Sequence, residues 1–85
     1  MSDPHLHASH PALVARLKRA EGHLRHVIGM IETHQPCLDI ARQLAAVESA
    51  VTSAKRALIH DHIDHCLVHD TGKTLDEMKA LTKLL

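Results

Sequence analysis

From Leu13 onward, apolar residues recur at alternating steps of four and three: Leu13, Leu17, Ala20, Leu24, Val27 and Ile31, with Val14 and Ile28 widening the stripe. This period predicts an amphipathic helix over about residues 10 to 33. Ser9 followed by Pro11 marks its start, as a capping side chain and a ring suited to the first turn. Ala15, Gly22 and Gly29 stand seven apart and share a face, which either admits a second helix closely or merely tolerates small residues. Thr33-His34-Gln35-Pro36 interrupts the pattern, and Pro36 with Asp39 suits the first turn of a second helix. The strongest run follows, through Cys37, Ile40, Leu44, Val47, Val51, Ala54 and Leu58, continued by Ile59, Ile63 and Leu67. No Gly or Pro falls between Cys37 and Thr71. One helix over about 36 to 68 is predicted, roughly 45–50 Å long. A single chain of 85 residues cannot cover such a helix. Partner helices are needed, so an oligomer with heptad-like packing is expected. After the turn Thr71-Gly72-Lys73, the capping box Thr74 with Glu77 opens a short third helix carrying Leu75, Met78, Leu81 and Leu85. The expected fold class is all-α, with residues 1–10 as a flexible His-containing arm and 11–85 as one helical domain.

Composition narrows the function. Phe, Tyr and Trp are all absent, so no aromatic platform exists for stacking unpaired bases. No apolar run reaches the roughly 18 residues of a membrane span. The first ten residues carry Asp3 and three His in place of a signal-peptide core, and a cytoplasmic location is expected. Ten Lys and Arg balance ten Asp and Glu, but unevenly along the chain. Residues 11–58 are net basic, with Arg16, Lys18, Arg19, Lys55 and Arg56 among the cations, and residues 59–77 are net acidic. A basic body repeated in an oligomer suits DNA phosphates, although a charge run is commonly just a solvated helix face.

The chain has ten His and two Cys. His62 and Cys66 are four apart and project from one helical face. Imidazole with thiolate suits Zn(II), Cu(I) or Ni(II). Cys37 is the natural third donor, but it lies 25 positions before His62, about 37 Å along a continuous helix. No single chain can close that site. Antiparallel pairing about a two-fold axis near residue 50 or 51 places Cys37 of one chain beside His62 and Cys66 of the other, and makes two identical sites. The arm offers His5, His7 and His10 as a fourth ligand. His23, His26, His34 and His69 are expected on the solvated surface, and His60 and His65 flank the site on other faces.

The run Arg16-Leu17-Lys18-Arg19-Ala20-Glu21-Gly22-His23-Leu24, then Cys37, Gln43-Leu44-Ala45-Ala46-Val47, His62 and Cys66, resembles the CsoR/RcnR family of bacterial metal- and formaldehyde-responsive repressors. The resemblance covers about residues 10 to 85. It implies a three-helix protomer, an antiparallel dimer and a homotetramer that binds operator DNA. It implies a ligand set of His5, Cys37, His62 and Cys66, similar to the nickel/cobalt branch, where a His stands 32 positions before the first Cys. Copper sensors of the family carry Tyr immediately before that Cys, where this chain has Pro36. Formaldehyde sensors use an amine from an N-terminal Pro, where this chain has Ser2. Arg16 and Lys18 match DNA-contacting positions, and a basic residue of the second helix is replaced by Ser53. The expectation is a repressor released from DNA by Ni(II), with Co(II), Cu(I) and Zn(II) as other candidate metals. The rival classes are a Cu(I)- or formaldehyde-responsive repressor, a metal-buffering protein with no DNA role, and an enzyme built on a Cys/His pair, for which no acyl-transfer motif is present.

Overall fold

The computed structural model describes residues 10–68 and 74–85, with the side chains of all of these except 65–68 and 74. Three helices make up the described chain: α1 (His10–Glu32), α2 (Cys37–Val68) and α3 (Thr74–Thr82). The first two fall where the apolar periods put them; α3 ends at Thr82, so Leu85, expected on that helix, lies beyond it, where the Leu84 and Leu85 amides bond three residues back to Leu81 and Thr82 in a turn. The Ser9 cap and the turn Thr71-Gly72-Lys73 lie outside the described residues.

The break between α1 and α2 is a Schellman ending. The Gln35 amide donates to the Met30 carbonyl at 2.9 Å, and the His34 amide to the Ile31 carbonyl at 3.1 Å. This geometry needs a left-handed residue after the cap, and His34 supplies it at φ 58°. The Thr33 hydroxyl donates back to the Gly29 carbonyl at 2.9 Å. Pro36 then accepts the first bond of α2, from the Ile40 amide at 3.1 Å, so the missing proline N–H costs nothing there.

The turn folds α1 back along α2, pairing His23 with Gln43 and Arg16 with Ser53, so the two helices run antiparallel. The seam is narrow. Only every seventh residue of the predicted α1 stripe is buried, at Leu13, Ala20 and Val27, and α2 buries Val47, Ala54 and Ile59. The other half of each stripe stays open. Leu17, Leu24 and Ile31 are 42–55% exposed, and Leu44, Val51 and Leu58 are 44–46% exposed. Fully burying a Leu or Val contributes about 1.5–3 kcal/mol, so much of that gain is unrealised in one chain. No atom lies within 4 Å of a Cβ built at Gly22 or Gly29, so the hairpin does not use that small-residue row for close packing.

The hairpin is therefore two-sided. One side of the seam is an apolar groove walled by Leu13, Val14, Leu17, Val51, Ala54 and Leu58. The opposite side is polar, with Arg16, Arg19, His23, Ser49 and Ser53. Helix α3 packs on α2, and among the described residues it does not touch α1. The result is a slab of 53 × 30 × 13 Å with a radius of gyration of 17.0 Å. A compact chain of this length would have about 12 Å. The elongated shape and the open apolar rows are what a subunit needing a partner presents. No helix among the described residues is long and apolar enough to cross a membrane.

Candidate functional site

Cys37 is the first residue of α2 and its thiol is exposed. His62 stands near the other end of the same unbroken helix. The 25 positions between them correspond to about 37 Å of helix axis. Cys66 lies one turn beyond His62 on α2, and its side chain is outside the described set; His5 lies outside the described residues. Among the described residues no three His, Cys, Asp or Glu side chains come together as a metal cage. Of the predicted donors, the described Cys37 and His62 stand toward the two ends of α2.

The His62 end has a feature that the spacing did not reveal. His62 Nε2 lies 2.8 Å from Oε1 of Glu77, which α3 brings back onto α2. The imidazole is 30% exposed and the carboxylate 50%. In the tautomer with its hydrogen on Nε2, that hydrogen would face Glu77, and Nδ1 would be the nitrogen turned to a metal. A carboxylate beside a ligating imidazole orients the ring. The sequence offered Glu77 only as part of a helix cap. Its acidic character 15 positions from His62 was a signal, but no pattern specified the pairing. His60 is exposed, and the side chain of His65 is outside the described set.

The predicted basic residues divide between surfaces. Arg16 and Arg19 line the polar groove of the α1–α2 hairpin. Arg56 lines an adjoining recess with Glu48, Ser49, Thr52 and Ser53. Lys55 lies instead on the rim of the apolar groove, beside Leu58 and Val51. Lys18 is exposed. Within the polar groove, Arg16 Nη2 donates to Ser53 Oγ at 3.0 Å.

His23 departs from its expected surface role. It is half-buried, and its Nε2 lies 2.7 Å from Oε1 of Gln43. It joins the two helices because α1 and α2 bring positions 20 residues apart into register, which the local period of either helix cannot show. His26 and His34 are exposed, as expected, and His69 lies outside the described residues.

Residues 9–85 match the family model described as metal-sensitive transcriptional repressor. The chain is 42% identical over 55 residues to the copper-sensing transcriptional repressor CsoR of Mycobacterium ulcerans, across 65% of this chain and 47% of that protein. It is 40% identical over 70 residues to the copper-sensing transcriptional repressor CsoR of Bacillus subtilis, across 82% of this chain and 68% of that protein. The match thus spans about half the length of the mycobacterial relative and about two thirds of the Bacillus one. Among solved structures, the nickel-responsive transcriptional regulator InrS is similar, with a TM-score of 0.80 and 31% identity over 95% of this chain and 97% of that one.

Proposed function

The chain belongs to the metal-sensitive transcriptional repressor family, and from that premise we propose that it is a Ni(II)-responsive repressor, with Co(II) as a second effector. In this reading the apo protein, a homotetramer built as a dimer of dimers in the cytoplasm, holds duplex operator DNA. Metal binding lowers its DNA affinity and derepresses metal efflux. The ligands are His5, Cys37, His62 and Cys66, and DNA is met by Arg16, Lys18, Arg19, Lys55 and Arg56. Two thiolates with two imidazole nitrogens suit square-planar Ni(II).

The observation that carries an intersubunit site is the unbroken α2, which separates Cys37 from His62 by most of its length. Donors from two subunits make metal occupancy sensitive to how those subunits sit, and coupling of this kind is reciprocal: DNA weakens metal binding by the factor by which metal weakens DNA binding. Nickel is favoured over copper by Pro36, which caps α2 where the family's copper sensors have Tyr, in a chain with no Tyr at all. The likeness to a nickel-responsive regulator along nearly the whole chain supports the same choice.

A Cu(I)-responsive repressor is the second reading, favoured by relatives of 40–42% identity that are copper-sensing. Release of bound duplex, titrated in parallel with Ni(II), Co(II), Cu(I), Zn(II) and formaldehyde, decides between them. Ni(II) is expected to release DNA at the lowest concentration. Release by Cu(I) alone selects the second reading. An apo protein without sequence-preferring DNA binding, measured at stated salt, leaves only a metal buffer. Full Ni(II) response in His5→Ala removes the arm from the ligand set.

A further inference from the structure

The polar groove of the α1–α2 hairpin contains a shared donor site. Arg16 and Arg19 reach it from α1, and Ser49 and Ser53, one turn apart, from α2. No carboxylate lines it. The Ser53 hydroxyl oxygen accepts one Arg16 N–H at 3.0 Å. That leaves the hydroxyl hydrogen and the remaining guanidinium donors available to one acceptor group. The His23–Gln43 bond ties the same two helices further along the groove.

We propose that Ser53 is a positioning residue for DNA recognition: it holds the Arg16 guanidinium over this groove, where the two together take one backbone phosphate of duplex DNA. This rests on the DNA-repressor reading above, and holds whichever metal is the effector. A long arginine on a solvated helix loses conformational freedom when it binds. A hydrogen bond made beforehand removes part of that cost.

The test uses apo full-length protein and a labelled duplex that it selects from a random-sequence pool. Ser53 is exposed, so its variants are expected to fold, and melting curves check this. Ser53→Ala is expected to weaken binding by about two- to tenfold, the size of one ordering cost. Ser53→Thr, which keeps the hydroxyl, is expected to restore it. Arg16→Ala is expected to make the negative slope of log affinity against log salt shallower, by about 0.9 for each phosphate that Arg16 neutralises. In the Arg16→Ala background, Ser53→Ala is expected to have no further effect. Binding by Ser53→Ala equal to the unaltered protein overturns the inference. So does a loss of the same size with and without Arg16. If the unaltered protein selects no duplex, the proposed function falls together with this inference. If it does and only the Ser53 result fails, the inference alone falls.

Discussion

His62 Nε2 on α2 lies 2.8 Å from Oε1 of Glu77 on α3. This pair gives α3 a role that helix packing alone does not. The short C-terminal helix rests on α2 and delivers a carboxylate to the candidate metal ligand.

Glu77→Ala is therefore expected to weaken metal binding by about 10- to 100-fold, the usual cost of losing the partner that orients a ligating imidazole. Glu77→Gln keeps an acceptor and should lose less. Competition against a chelator of known affinity measures both. Equal affinity in all three proteins would remove Glu77 from the site.

The His23–Gln43 bond crosses the hairpin at 2.7 Å. Removing it with Gln43→Ala is expected to cost about 0.5–1.5 kcal/mol, the net worth of one such bond. Thermal melting of the variant and the parent at one shared protein concentration reads this, since association shifts apparent stability. A double-mutant cycle with His23→Ala should return a coupling of the same size. No coupling would show that the bond is incidental.

Val51 belongs to the open apolar row of α2 and lies at the midpoint between Cys37 and the His62/Cys66 pair. Near a two-fold axis it would face its own copy, so a charge placed there appears twice. Val51→Glu is expected to shift the protein toward monomer and reduce its helicity. Sedimentation velocity and circular dichroism check both. An unchanged oligomer would place the axis elsewhere.

His34 holds a left-handed backbone at φ 58° and is exposed, so its side chain contributes little to set against the strain. His34→Gly is expected to stabilise the protein by up to about 1 kcal/mol, the relief of an L-residue in that conformation less the greater freedom of glycine when unfolded. A denaturant midpoint that falls instead would mean that His34 packs against a neighbour in the assembled protein.

The helices, their order and the break at Thr33–Pro36 were legible in the sequence, because each depends on period and punctuation within a few residues. The distance between Cys37 and His62 was legible too, since it requires only that α2 be continuous. The division of the α1 stripe into a buried Leu13–Ala20–Val27 line and an open Leu17–Leu24–Ile31 line was not. A helical period shows that a face is apolar, but not which half meets its own chain. The pairs Arg16–Ser53, His23–Gln43 and His62–Glu77 were hidden for a related reason. Each depends on the register of one helix against another, and polar residues on opposite helices carry no pattern that fixes it.

The length of α2 has a genetic consequence. If Cys37 of one chain completes the site of another, a Cys37→Ala allele and a His62→Ala allele are defective for different reasons. Each product alone makes no complete site. Co-expressed, the Cys37→Ala product still supplies His62 and Cys66, and the His62→Ala product still supplies Cys37. Mixed pairs then regain one complete site of two. Two alleles that each abolish induction should complement one another, while a product carrying both substitutions should complement neither.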